Sequence, residues 1–136
     1  MTTYVDASVL LRVIQGAPAA LASWPELEPV ASELIRVECL RTIDRARASH
    51  AVDDSTASEH RASVLTALAT FGLAPLTQEV LQRAADPFPT ALGTLDAIHL
   101  ATALAIRHEQ PALTFATHDR ELATAARAVG FEVYGV

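Results

Sequence analysis

ALTFATHDRELATAARAVGFEVY, Ala112 to Tyr134, decides the fold class. Ala112 to Ala116 (ALTFA) is an apolar run of strand length. Asp119 to Val129 has the apolar spacing of a helix, and Gly130 stands at C′, where a helix often ends in a left-handed residue. Phe131 to Tyr134 (FEVY) is then a closing strand. Short apolar strands alternating with longer helices make an α/β domain with a mostly parallel sheet.

The same alternation extends toward the N-terminus. Upstream of the quoted stretch, Thr94 caps a helix that runs to about Glu109, and Pro111 marks its end. Prolines at 87 and 89 make DPFPTALG a loop. Thr77 caps a helix from Gln78 to Ala85, and Leu73 to Leu76 is a short strand. Asp53 and Asp54 open a helix that carries Val64, Leu65, Leu68 and Phe71 to a stop at Gly72. Ser32 caps a helix over residues 33–49 with an apolar stripe at Leu34, Val37, Leu40 (with Cys39) and Ile43. Pro25 and Pro29 bracket a loop, with Glu28 to Ala31 as a second strand. Thr2 to Asp6 is a strand that ends at an acid, and Ser8 to Ile14 is a helical turn or two. Nothing repeats and no linker interrupts the pattern, so residues 1–136 read as one domain.

Composition narrows the function. The chain has 136 residues and about half are apolar, enough for a core of its own. No apolar run approaches the roughly 18 residues of a membrane span. MTTYVDASVLL lacks the basic start and cleavage site of a signal peptide, so a soluble, cytoplasmic protein is expected. Cys39 is the single cysteine, which excludes an internal disulfide and a thiolate cluster. The net charge of −6 argues against coating nucleic acid by charge alone. All ten fixed positive charges are arginines. Without a lysine there is no P-loop and no Schiff-base chemistry.

Four acids fall where an open parallel sheet does its chemistry, at the carboxyl ends of strands and the helix starts beyond them. Asp6 ends the first strand, Asp119 follows ALTFA in THD, Asp96 is in the first turn of TLDAIHLATAL, and Glu38 is one and a half turns into its helix. Each has a plainer alternative. Asp6 and Asp119 can be helix caps, and Glu38 can pair with Arg41 or Arg45 on its own helix. Asp96 is different, because its helix is apolar on nearly every side. The helix dipole returns only about 0.3–1 kcal/mol to a carboxylate there. Asp96 therefore needs a partner or an opening to water. Taken jointly, acids meeting at one sheet edge repel and raise one another's pKa unless a cation joins them. Mg²⁺ or Mn²⁺ suits oxygen ligands and could activate water against a phosphodiester. His99, three residues from Asp96, reads either as a ligand or base, or as a supporting group that donates to a carboxylate or a carbonyl.

YVDASVLL (4–11), SELIRVECLR (32–41), LDAIHLATAL (95–104) and TFATHDRELATAARAVGF (114–131) occur in that order, and together they resemble a PIN domain of the VapC toxin type. The resemblance spans essentially the whole chain. It implies a three-layer α/β/α fold around a short central sheet. It also implies a Mg²⁺- or Mn²⁺-dependent endoribonuclease that uses a metal-activated water, arrests translation, and is neutralised by a VapB-type antitoxin. A homodimer is implied as well. Position by position, Asp6, Glu38, Asp96 and Asp119 match the family's acidic set, with Asp6, Asp96 and Asp119 taken as the metal ligands. Ser8 and Thr117 match small hydroxyl positions beside the metal, suited to holding a metal-bound water. Glu33 and Glu38 lie about 140° apart on their helix and cannot share a site; Glu38, close to the apolar stripe, is the one assigned.

Arginines at 36, 41, 45 and 47 share one helix, and Arg12 and Arg120 each follow a candidate acid. They either contact phosphate or form a solvated face with internal ion pairs. Two rival functions remain. A non-catalytic binding module of the same fold would bind no divalent ion. A phosphotransfer domain is disfavoured by the missing lysine, and because Asp6-Ala7-Ser8 is not a D-x-D pair.

Overall fold

Five strands form one sheet: β1 (Thr2–Val5), β2 (Glu28–Ser32), β3 (Gly72–Ala74), β4 (Thr114–Ala116) and β5 (Val133–Tyr134), in the order β3-β2-β1-β4-β5. The computed structural model describes residues 1–136. Every neighbouring pair is parallel, so the sheet is wholly rather than mostly parallel. Six helices connect the strands: α1 (Ala7–Ile14), α2 (Leu34–Ala48), α3 (Asp54–Leu68), α4 (Gln78–Ala85), α5 (Thr94–Glu109) and α6 (Arg120–Ala128).

Strand periodicity splits the core into two halves. Successive side chains of a strand point to opposite faces. Val5, Ala31 and Ala116 therefore join Val9, Leu10, Ile35, Cys39, Val64 and Leu68 on the face covered by α1, α2 and α3. Their neighbours Tyr4 and Phe115 turn the other way, to Leu100, Ala103, Leu122, Ala125 and Phe131 under α5 and α6. This is the expected three-layer arrangement. Thr3 and Thr114, also buried, bond to each other at 2.9 Å across the β1–β4 pair.

Local departures from the sequence reading have physical causes. The buried stripe of α2 is Ile35, Cys39 and Ile43, a strict i, i+4, i+8 row, while Val37 is 57% exposed. Ser32 stays in β2 and its hydroxyl accepts from the Leu34 amide at 3.1 Å, so it still serves the start of α2. β3 begins at Gly72 and ends before Pro75, which has no amide proton to give a ladder. Thr94 is the first residue of α5; the cap position is Gly93, which has no side chain to bond the first amides. β5 starts two residues late. The Phe131 amide donates to the Ala126 carbonyl, and that of Gly130, at φ +94°, to Arg127, which closes α6 before the ladder resumes. No helix is long and apolar enough to cross a membrane.

Candidate active site

In a wholly parallel sheet the chain leaves every strand at the same edge. Asp6 follows β1 and caps α1, accepting from the Val9 amide at 3.3 Å. Asp119 follows β4 and caps α6, accepting from the Leu122 amide at 3.0 Å on Oδ1. Glu38 lies in the second turn of α2, after β2. Asp96 lies in the first turn of α5. The cap reading of Asp6 and Asp119 is thus correct, and it leaves them free to act as well. A cap bond fixes a carboxylate at the mouth of the sheet.

Asp6 is buried and heavily solvated by protein. Ser8 Oγ donates to its Oδ1 at 2.6 Å and Thr117 Oγ1 to its Oδ2 at 2.7 Å. Burial pushes its carboxyl pKa up, and the two hydroxyls and the Val9 amide oppose that rise. Each hydroxyl is also an acceptor. The His118 amide donates to Ser8 Oγ at 2.9 Å, and the Asp119 amide to Thr117 Oγ1 at 3.0 Å. The two residues assigned to a water thus face Asp6 itself. They lace the loop after β4 to the loop after β1.

Asp96 has none of this support. Its half-buried carboxylate makes no hydrogen bond or ion pair within the chain. Loss of water raises its pKa to about 6, and the charges of Asp119, Asp6 and Glu38 add to the rise. Asp96 therefore feels the charge of the other three acids at this edge of the sheet. No arginine pairs with any of them. Leu95, beside Asp96, is 48% exposed, so α5 is less enclosed at its start than its composition suggests.

Glu38 does not pair with Arg41 or Arg45. Its Oε1 bonds His99 Nε2, and His99 Nδ1 bonds the Tyr4 hydroxyl at 2.6 Å. His99 is 1% exposed. Its place is between a glutamate and a tyrosine. Cys39, beside Glu38, is a packed thiol whose pKa burial and the two acids push up to about 12. It has no nucleophilic character.

The acids do not close on one point: no three His, Cys, Asp or Glu side chains are placed to hold an ion directly. Mg²⁺ and Mn²⁺ do not need such a cage. Mg²⁺ keeps several of its waters and is usually bound through one or two carboxylates. Carboxylates gathered at the sheet edge, with Asp96 unpaired, fit such an ion. It does not fit a metal that requires a closed tetrahedral set.

A PIN domain family model matches residues 3–128. The chain belongs to the PIN domain family. Over 136 aligned residues it is 32% identical to ribonuclease VapC47 of Mycobacterium tuberculosis, covering 94% of this chain and 92% of that one. The fold is also that of VapBC2 from Rickettsia felis, solved bound to promoter DNA, at a TM-score of 0.69 and 9% identity, over 98% of both chains. A toxin–antitoxin complex from Klebsiella pneumoniae matches at 0.59 and 22%, over 89% of this chain and 90% of that one.

Within this PIN domain the arginines divide. Arg41 and Arg47 both pair with Asp44 at 2.9 Å, as a solvated face would. Arg12, Arg36, Arg45 and Arg120 form no ion pair. Sequence reasoning missed Tyr4 altogether. Its signal was present: a tyrosine in an otherwise apolar central strand needs a partner for its hydroxyl, and His99 was the unassigned polar group. It also missed His118, whose Nδ1 bonds the Gly135 carbonyl at 2.8 Å and so ties the chain's last residues to the site loop.

Proposed function

We propose that this PIN domain is a Mg²⁺- or Mn²⁺-dependent endoribonuclease, the toxin of a toxin–antitoxin pair. The observation that carries the proposal is Asp96. It is a carboxylate without a partner in the chain, pushed up to about 6 by burial and by three neighbouring acids, and a divalent cation would relieve it. The identity to a protein named ribonuclease supports the choice of RNA.

Asp6, Asp96 and Asp119 would hold the ion. When bound, it supplies Lewis acidity to a water and to the scissile phosphodiester. Asp6 is held by Ser8 and Thr117 and cannot swing away. Glu38, with one oxygen fixed by His99, directs the other toward the attacking water and accepts its proton. Arg36 and Arg120, each in the first turn of its helix, would contact phosphate. No side chain bonds covalently to RNA.

The likeness to VapBC2 and to a toxin–antitoxin complex supports a VapB-type antitoxin as partner. The exposed Val37, Leu73, Leu76 and Leu95 lie at the start of α2, around the end of β3 and at the start of α5, and would supply apolar contacts for it or for a second copy in a homodimer. Residues 1–136 act as one domain, in the cytoplasm, where cleavage of RNA inhibits translation.

The test is cleavage of total RNA by the purified protein with Mg²⁺, with Mn²⁺ and with chelator, beside Asp6→Asn and Asp96→Asn. Cleavage that needs the ion and both acids is expected. Metal-dependent cleavage retained by Asp96→Asn would overturn the site. If calorimetry detects no divalent ion and the variants change nothing, the protein is a non-catalytic module of this fold.

A further inference from the structure

We infer that Tyr4 and His99 are positioning residues that hold Glu38 through a one-way hydrogen-bond relay, an inference that rests on the function proposed above. The direction follows from counting protons. The Ser32 amide donates to the Tyr4 hydroxyl oxygen at 3.1 Å. The phenol has one proton of its own, and His99 Nδ1 lies 2.6 Å away. Thr102, nearby, spends its proton on the Ile98 carbonyl at 2.7 Å. With Tyr4 donating, Nδ1 is an acceptor, so the neutral ring carries its proton on Nε2. That proton goes to Glu38 Oε1. Every donor finds an acceptor without any of the buried groups becoming charged.

The relay is stiff. Tyr4 stacks on Phe115 with ring centroids 5.1 Å apart, and His99 meets it edge-on at 5.9 Å. Tyr4 and His99 are buried, whereas the Glu38 side chain keeps 19% exposure and its Oε2 has no partner in the chain. One oxygen is thus anchored to the core while the other is left unbonded on a partly exposed side chain. A backbone amide of β2 sets the orientation of a side chain on α2 through groups from β1 and α5. Both ring nitrogens of His99 are used in this arrangement.

The experiment is a double-mutant cycle on the kcat of RNA cleavage at saturating metal. His99→Leu is expected to lower kcat about tenfold to a hundredfold, the worth of a hydrogen bond to a charged group, with little change in KM. His99→Gln, which can place an N–H where Nε2 stood, should recover much of that. His99→Leu added to Glu38→Gln should cost nothing more, because the relay acts only through Glu38. Fully additive losses, or His99→Gln as poor as His99→Leu, would overturn the relay. Nitrogen-15 spectra of the metal-free wild type are the second measurement, independent of activity and of how well variants fold. Bare Nδ1 with protonated Nε2 is expected for His99; the opposite tautomer overturns the inference. A wild type that cuts no RNA with either ion would refute the proposed function instead, and the spectra would still decide whether the relay holds Glu38.

Discussion

The Thr117 hydroxyl donates to Asp6 Oδ2 at 2.7 Å, and both residues are buried. One residue follows β4 and the other follows β1, so the bond spans two loops of the sheet edge. Because Thr117 Oγ1 also accepts from the Asp119 amide, it places two of the four acids relative to each other. Asp6 tolerates burial through such donors.

Thr117→Val keeps the shape and removes the hydroxyl. Asp6 loses a donor and the Asp119 amide loses its acceptor. A loss of about 1–3 kcal/mol in urea unfolding is expected, the cost of leaving buried polar groups unpaired. Without that donor the Asp6 pKa rises further, so the acid limb of the cleavage profile should move to higher pH. Thr117→Ser should restore most of both. An unchanged urea midpoint and pH profile for Thr117→Val would show that the bond carries neither stability nor function.

Asp96→Asn should separate stability from activity. The folded pKa is about 6, against an ordinary value of 3.8. Between those pH values the folded chain keeps a proton that the unfolded chain has released. The stabilising contribution of this group is therefore full below about pH 3.8 and is lost as pH rises through about 6. Above that the carboxylate is a burden in metal-free protein, of at most about 1–2 kcal/mol once half exposure is allowed for. In chelator at pH 7.5, Asp96→Asn should melt above wild type, and the gap should narrow at pH 5. Mg²⁺ should raise the Tm of wild type and leave that of Asp96→Asn nearly unchanged. A variant that melts below wild type in chelator at pH 7.5 would mean that Asp96 has a stabilising partner after all.

The layers, the sheet and the edge where the acids gather were legible in the sequence because each depends on local signals. Alternation of strand and helix sets the parallel sheet, and a parallel sheet brings Asp6, Asp119 and the opening turns of α2 and α5 to one edge. What was not legible depends on contacts between distant segments. Val37 reads as a stripe residue by spacing, but α3 and β1 select the Ile35 row. Glu38 has arginines three and seven residues along its own helix, yet a histidine 61 residues away takes it. Ser8 and Thr117 were recognised as polar company for a metal site. That their protons point at Asp6 depends on how two loops lie, which no local rule encodes. Proline effects were read correctly in kind at 87, 89 and 111, but Pro75 ends β3 two residues before the expected Leu76.

Charge on α2 and α6 should sort by pairing. Arg36 and Arg120 are without an ion pair, whereas Arg41 is held by Asp44 at 2.9 Å. In an Asp96→Asn background that leaves RNA intact, Arg36→Gln and Arg120→Gln should each weaken RNA binding. Each should also flatten the dependence of log K on log salt by about 0.7, one phosphate contact on a single strand. Arg41→Gln should change the slope less, because its charge is already partly offset. Equal slopes for all three variants would mean that RNA meets the domain through some other surface.

Gly135 is the remote position from which the site should be most sensitive. It has φ +99°, and a Cβ there would lie 2.5 Å from the Thr117 carbonyl oxygen and 3.3 Å from His118 Nδ1. The Thr117 amide donates to the Tyr134 carbonyl at 3.0 Å and His118 Nδ1–H to the Gly135 carbonyl at 2.8 Å, so the segment is bonded to the site loop on both sides of the clash. Gly135→Ala must displace either that segment or Thr117, and Thr117 carries Asp6. Gly16→Ala provides the comparison: φ is +63°, and nothing lies within 4 Å of the added carbon. It should cost about 1 kcal/mol for the backbone alone and leave cleavage intact. Gly135→Ala should cost about 1–3 kcal/mol and reduce cleavage several-fold with RNA binding preserved, because the arginines are untouched while the acids shift. Cleavage equal to that of Gly16→Ala would mean that the terminal residues peel away without disturbing Thr117, and that the bonds to Tyr134 and Gly135 do not hold the site in place.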